Sequence, residues 1–600
     1  MNRYTAKKLS NRPVLSENTF LILLAILVGF GAALLGLAFR ASIDLVNLLF
    51  FEKGKNILAF LGKYYVVILP AIGGMIVGPL IYFFAREAKG HGVPEVMTAM
   101  AIRGGRIRPR VVLIKSLASA FTIGSGGSAG SEGPIVQIGA GIGSTLGQFF
   151  HLSEERLKSL VSCGAAAGIA TVFNAPIAGV FFALEVISGE FSASFFSIVV
   201  ISAVTASVVA RAVYWGNNPV FPVAGLSLAS PHELIFYVLL GILAGLFAVL
   251  EIKATYKIED LFDEWRGIPE YVKPAVGGLL VGIIGLAFPQ VFGPGYESIE
   301  AALTGRLSLL LLVLLVFIKL LAVTLTLGSG GSGGVFAPSL FMGAMLGGAL
   351  GTIVHGLFPG FTAVSGAYAL VGMGAVFAGA AQAPITSIIM IFEMTNDYRI
   401  ILPLMIACVI SYVIASQLHP ESIYTLKLLR RGIKFRHGRA RTVLETITVG
   451  EVMHREVETV PANITVSELA DLMRKSRHTG FPVLDGNQLV GMVTVFDIRR
   501  AMDKGINDEP VSKIMSTNLI VTYPEENLGE ALKKFAVRGV GRLPVVKQDD
   551  PEHLVGIITR SDIIRAYNKG LLDFQEEAAV SEESTVQTFT DTPEPWGSSS

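Results

Sequence analysis

Three glycine-rich segments of this chain end in proline: GHGVP (90–94), GSEGP (130–134) and GVFAP (334–338). Glycine lets a backbone turn and approach a ligand closely, and proline suits the first turn of a helix. Each segment therefore predicts a helix start with free N–H groups and the positive end of the helix dipole turned inward. Three such starts around one point would hold an anion without a full positive charge. Packing kinks are the plainer reading, and the recurrence of the breaks with their prolines argues against it. Glu132 stands in the second segment. A carboxylate at membrane depth costs at least ~2.5 kcal/mol, which marks it as functional by default. Placed where the anion sits, it can mimic that anion and leave when protonated, as a gate and a proton carrier. The alternative is a helix cap, but the matching position in the internal repeat is Phe336, so the two halves have diverged there.

The elements that must position these groups are apolar. Of 600 residues, 52% are hydrophobic and 16% charged, where a soluble domain carries ~25% charge. The 65 glycines fit close-packed membrane helices. Thr19 to Phe39 and Tyr65 to Ala85 each run 21 residues without a charge, enough to span ~30 Å of hydrocarbon. Similar stretches follow near 192–210, 234–250, 307–326, 339–358, 365–392 and 400–418. Many are interrupted, which is tolerated only where protein or a water-filled cavity satisfies the freed backbone.

Net charge is +1, so no nucleic-acid partner is expected. Cys163 and Cys408 lie in apolar stretches without metal-ligand neighbours, so neither disulfide nor metal site is expected. Few membrane carboxylates speak against a cation site, and no nucleophile–base pair suggests an enzyme.

Two repeats set the architecture. Residues 111–134 match 315–338 at an offset of 204, with seven identities in the last 11, and NAPIAGVFFALE (174–185) answers QAPITSIIMIFE (382–393) at 208. Repeated halves with glycine breaks point to a midplane transport site. Lys115 and Lys319 are repeat mates, as are Glu185 and Glu393; paired with local backbone, such charges are expected to be structural. Beyond the membrane part, GMVTVFDIRRA (491–501) answers GIITRSDIIRA (556–566) at an offset of 65. Basic residues Arg3, Lys7, Lys8 and Arg12, with the stretch LKLLRRGIKFRHGRAR after Leu418, predict cytoplasmic termini and an even number of crossings.

These features give the following boundaries: N-terminal segment 1–18, membrane repeats 19–215 and 216–425, basic linker 426–444, two α/β domains 445–508 and 509–570, and an acidic tail 571–600 whose composition predicts disorder.

With GHGVP, GSEGP, GVFAP and then Tyr424 in SIYTLKLL in this order, residues 15–425 resemble the CLC family of chloride channels and proton-coupled chloride exchangers. The resemblance implies an α-helical membrane protein of two inverted repeats and a homodimer in the lipid bilayer of an inner or plasma membrane, with one anion pathway per subunit. It implies a central chloride held by the N–H groups of Val335 and Phe336 and the Tyr424 hydroxyl, with His91, Gly92 and Ser131 lining the path and Glu132 as gate. Other small anions are not excluded as substrates.

Three departures matter. His91 stands where the family usually has serine. Its imidazole, with an ordinary pKa near ~6.5, is either cationic in mild acid or a neutral packed group, and both readings stay open. Ser131 replaces a residue that is often basic. Glu185–Val186 replaces a pair of carboxylates, so the internal proton-transfer position is valine. A proton needs a titratable relay, so the sequence favours gated, passive chloride permeation over proton-coupled exchange, the alternative.

The second part resembles tandem CBS domains, an α/β module covering about 445–570. Thr494 with Asp497, and Thr559 with Asp562, offer a hydroxyl and a carboxylate at a helix start. These suit the hydroxyls of a ribose, with the helix start and Arg560 for phosphates. The resemblance implies ATP, ADP or AMP as a regulatory ligand, no cofactor being required for transport; a purely structural pair of capped helices is the other reading. No GxxxxGK[ST] loop occurs, so phosphate hydrolysis is not expected.

Overall fold

The computed structural model describes residues 17–569 apart from 190–192, 217, 223–224, 437–438, 443, 445–446, 477 and 539. The basic residues Arg3, Lys7, Lys8 and Arg12 and the acidic tail lie outside the described residues. The chain divides into two compact units, a helical one reaching Leu428 and an α/β one from Arg441 onward.

Among the described residues of the first unit, seven helical spans are long and apolar enough to cross a membrane: 19–57, 59–84, 195–215, 231–264, 309–328, 336–357 and 401–418. Shorter apolar helices lie between them. The elements that build the site are α1 (Glu17–Asn47), α2 (Val93–Ile102), α3 (Pro109–Gly124), α4 (Glu132–Phe149), α5 (Glu154–Phe173) and α6 (Pro176–Phe182) of the first half. Those of the second half are α7 (Leu234–Glu264), α8 (Tyr296–Leu303), α9 (Leu309–Gly328), α10 (Phe336–Leu357), α11 (Ser365–Ala381) and α12 (Pro384–Thr395). The long apolar stretch 365–392 is thus two helices. Gln382 caps α11 at φ 53°, and its repeat mate Asn174 caps α5 at φ 51°, each followed two residues later by a proline that opens the next helix.

The glycine content has a packing reason. A Cβ on Gly139 of α4 would meet the Gly164 carbonyl of α5 at 2.1 Å, and one on Gly343 of α10 would meet the Gly372 carbonyl of α11 at 2.3 Å. These are equivalent contacts in the two halves, where only glycine lets helix backbones touch.

The halves also exchange contacts reciprocally. The Ser128 N–H donates to Thr326 Oγ1 at 3.0 Å and the Ser332 N–H to Thr122 Oγ1 at 3.2 Å. At the next level, Ile177 and Ala178 N–H donate to Glu393, while Ile385 and Thr386 N–H donate to Glu185. Residue i meeting j′ while j meets i′ is the signature of a two-fold axis between the repeats, as inverted repeats require.

The second unit holds two similar α/β halves. In the first, β1 (Val460–Pro461) runs parallel to β2 (Gly480–Asp485), which pairs antiparallel with β3 (Gln488–Thr494) ahead of α13 (Val495–Asp503). In the second, β4 (Arg542–Lys547) pairs antiparallel with β5 (Asp550–Thr559), which leads into a helix at 560–569. Phe481 and Val493 sit in the core of the first half, Leu543 and Ile558 in that of the second. Arg542 joins the halves by donating to the Gly480 carbonyl at 2.6 Å.

Candidate functional site: an anion pathway at three helix starts

The three glycine breaks are hydrogen-bonded to one another. Gly130 and Gly334 exchange N–H···O bonds of 2.8 and 2.7 Å, an antiparallel bridge, while the Gly90 N–H donates to the Gly331 carbonyl at 3.0 Å. Each break opens a helix as the sequence predicts: α2 after Gly92, α4 after Ser131 and α10 after Val335. Their first turns therefore meet in the interior of the unit, where His91, Ser131, Glu132, Val335, Phe336 and Tyr424 are all buried.

Glu132 enters this meeting point. Its Oε1 accepts from the Tyr296 hydroxyl at 2.7 Å and from Ser131 Oγ at 3.4 Å, and its Oε2 accepts from the Ala337 N–H in the first turn of α10 at 3.4 Å. A Cβ on Gly130 would stand 1.9 Å from Glu132 Oε2, so the glycine leaves room for the carboxylate. The negative group thus lies against the N-terminus of a helix from the other repeat, a placement the helix dipole favours.

The remaining expected residues surround it. Phe336 packs between Phe173 and Phe377, with ring centroids at 5.1 and 4.1 Å. Tyr424 lies edge-on to Phe182 at 6.4 Å and close enough to Glu132 to feel its charge. The ring of His91 lies 6.2 Å from that of Tyr256, whose hydroxyl donates to the carbonyl of Ile423, the residue before Tyr424. Gly92 faces α4, where a Cβ would meet the Gly133 carbonyl at 2.6 Å.

Lys115 and Lys319 spend their ammonium groups on backbone carbonyls. Lys115 Nζ donates to the carbonyls of Ala88 and Gly90 at 3.0 and 2.7 Å, and Lys319 Nζ to those of Val291 and Gly293 at 2.9 and 2.7 Å. Each ammonium pins the chain at the start of a break. Glu185 is likewise engaged, its Oε2 accepting from the Thr386 N–H at 2.7 Å and hydroxyl at 2.6 Å. It caps the first turn of α12, and Val186 beside it is buried.

Sequence reasoning missed Tyr296. The correspondence becomes visible in the structure: Lys115 and Lys319 clamp equivalent carbonyls, so GHGVPE (90–95) corresponds to GPGYES (293–298), and Tyr296 is the repeat mate of Val93. The second-half break lacks a proline in the expected place, which hid it. Tyr296 also borders a cavity of about 600 Å³, with Arg40, Asp44, Ser131 and Glu297 among its lining residues.

In the α/β unit, both Thr–Asp pairs are closed on themselves. The Thr494 N–H and hydroxyl donate to Asp497 Oδ2 at 2.9 and 2.6 Å, and those of Thr559 to Asp562 Oδ2 at 2.8 and 2.6 Å. Both are helix-capping arrangements. Asp562 Oδ1 also meets His454 Nε2 at 3.2 Å and accepts from Arg565 at 2.5 Å. Burial pushes its carboxyl up, but the Thr559, Arg565 and His454 bonds outweigh that and hold it below the usual carboxylate range. Arg560 turns to the Phe535 carbonyl at 3.0 Å instead of toward the Thr–Asp pair.

A membrane unit of two inverted repeats with broken helices meeting in its interior, followed by paired α/β domains, defines a secondary-transport or channel architecture. Comparison with known proteins makes this specific. The family model described as voltage gated chloride channel matches residues 73–416, and the CBS domain model matches 449–504 and 511–569. A putative chloride channel protein, ClcB-like, of Ralstonia nicotianae is 34% identical over 68% of this chain and 97% of its own length. The H(+)/Cl(−) exchange transporter ClcA of Yersinia pestis is 33% identical over 71% of this chain and 90% of its own. The solved structure of a slow cyanobacterial Cl−/H+ antiporter superposes with a TM-score of 0.64 at 28% identity, covering 68% of this chain and 97% of that one. The chain belongs to the CLC family of integral-membrane anion transporters and carries a C-terminal pair of CBS domains.

Proposed function

We propose that this protein carries chloride along the path where α2, α4 and α10 begin, and that Glu132 is its gate. The observation that carries the reading is the Glu132 carboxylate itself, seated against the Ala337 N–H of α10 where a bound anion would lie. A carboxylate and a chloride compete for the same dipole end, so protonating Glu132 removes its claim on the site and lets chloride pass. Val335, Phe336 and Tyr424 line that site, and His91, Gly92 and Ser131 stand at the breaks around it. The test is chloride efflux from proteoliposomes as a function of pH. Glu132→Gln, which mimics the protonated gate, is expected to raise efflux at neutral pH and erase its pH dependence. Efflux and pH response equal to wild type would remove Glu132 from the gate.

Two readings of the transport mode follow from different residues. Val186 supplies no proton acceptor, and Glu185 is spent on capping α12, which supports passive permeation. Proton-coupled exchange needs another acid near the site, and Glu251, buried in α7 and bonded to Ser339 of α10, supports that reading. Family membership and the basic segments at both ends support a homodimer, one pathway per subunit, with its termini and CBS pair in the cytoplasm. Adenine nucleotide is the ligand proposed for the CBS pair, at Thr494 and Asp497: Asp497 keeps Oδ1 uncommitted to any described residue, whereas both oxygens of Asp562 are taken.

A further inference from the structure

Glu251 lies in the middle of α7 and is 1% exposed. Its Oε1 lies 2.5 Å from Ser339 Oγ, whose single hydroxyl proton is shared between that oxygen and the Val335 carbonyl at 2.8 Å, so this carboxyl group is fastened to the first turn of α10. Its Oε2 is fully buried and has no hydrogen-bond partner among the described residues. A carboxylate with a lone oxygen in the protein interior carries the cost of an unpaired buried charge, which a proton on that oxygen relieves. A residue kept only to fasten Ser339 would serve as well as a glutamine, so the free oxygen is the feature that needs a use.

The position of Glu251 supplies that use. Ser339 and Ala337, whose N–H holds Glu132 Oε2, both lie in the first turn of α10. Tyr424 is near enough to both carboxylates to feel the charge of each. From α7 itself, Tyr256 reaches the Ile423 carbonyl and packs near His91. Around α7, the ammonium of Lys319 on α9 spends itself on the Val291 and Gly293 carbonyls, and Tyr368 on α11 stacks on Tyr237 at 4.5 Å. Among the described residues no basic side chain forms an ion pair with Glu251, and α10 offers it only the Ser339 hydroxyl.

We propose that Glu251 is a second proton-carrying carboxylate of the anion site, and that it replaces the acid absent at Val186. The inference rests on the reading of Glu132 as gate and makes proton-coupled exchange the transport mode. In the step, an O–H bond of a hydronium ion breaks, leaving water, as an O–H bond forms at Glu251 Oε2. That bond breaks as an O–H bond forms on a Glu132 carboxylate oxygen, past Tyr424. Glu132 then gives up the Ala337 N–H, chloride takes its place, and Glu251 is left as the anion to be reprotonated. No electrons change hands.

The experiment is parallel recording of proton and chloride flux from proteoliposomes of the full-length protein, under a chloride gradient without a pH gradient, in wild type and Glu251→Gln. Glutamine keeps the size and the bond to Ser339 but carries no proton. Wild type is expected to drive protons uphill in fixed ratio to chloride, and Glu251→Gln to lose at least tenfold in proton flux while chloride continues to move. An unchanged ratio in Glu251→Gln overturns the role of Glu251 and leaves exchange standing. Chloride flux without proton movement in wild type overturns both exchange and this role, with Glu132 as gate untouched. Loss of both fluxes in Glu251→Gln also overturns the proposal, because the residue then serves packing.

Discussion

Tyr296 is the residue whose removal tests the proposed Glu132 gate most directly. Its hydroxyl donates to Glu132 Oε1 at 2.7 Å, and its ring packs edge-on to Phe221 at 6.0 Å. Tyr296→Phe deletes the bond and keeps the ring. A hydrogen bond to a charged group contributes about 1.5–3 kcal/mol. At about 1.4 kcal/mol for each factor of ten, its loss moves the closed-to-open ratio roughly ten- to a hundredfold toward open. Two further bonds to the same carboxylate, from Ser131 and the Ala337 N–H, remain, both at 3.4 Å. Being long, they hold the gate less well than the one removed. In proteoliposomes at neutral pH with the voltage shunted, Tyr296→Phe is therefore expected to release chloride at least several-fold faster than wild type. The effect must vanish in a Glu132→Gln background, since no charged gate is left for the hydroxyl to hold. Efflux within twofold of wild type, or an equal gain in the Glu132→Gln background, would refute the latch.

Two other outcomes are expected. His91→Ser should change either the pH response of efflux or the preference among small anions; a full selectivity series and pH titration that superimpose on wild type would make His91 a packing residue beside Tyr256. In full-length protein, Asp497→Ala should abolish adenine-nucleotide binding measured by calorimetry, whereas Asp562→Ala should leave it intact and cost helix-cap stability of about 1 kcal/mol. Binding lost only in Asp562→Ala would reverse that assignment.

How far the sequence disclosed this arrangement depended on whether a residue's partner lay nearby in the chain or in the other half. The breaks, their helix starts and the duplication were legible because glycine, proline and repetition are local signals. The capping roles of Glu185 and Glu393 were only partly so. Repeat symmetry marked them as structural, but the partners, Thr386 and Ala178, are about 200 residues away and become visible only when the two-fold axis folds one half onto the other. Tyr296 was hidden because its break has Glu297 where the first half has Pro94. Glu251 was hidden differently. It has no repeat mate, sits mid-helix in an apolar segment, and is tied to the site through one serine of another helix.

That asymmetry bears on mechanism. Where the two halves keep the same residue, as at Lys115 and Lys319, Glu185 and Glu393, Gly139 and Gly343, the side chain or its absence serves the frame: carbonyl clamps, helix caps and close backbone contacts. At the helix starts around Glu132 they differ: Glu132 against Phe336, His91 against Pro294, Val93 against Tyr296. A two-fold frame by itself makes two equivalent half-sites and no direction. In the mechanism proposed here, placing the gate carboxylate in one half and its latch and receiving helix in the other converts the frame into one pathway with a single gate. Glu251, an acid of the second half fastened to the helix that receives Glu132, follows the same division. In the proposed step, a proton reaching it would be held at the same helix turn that receives Glu132.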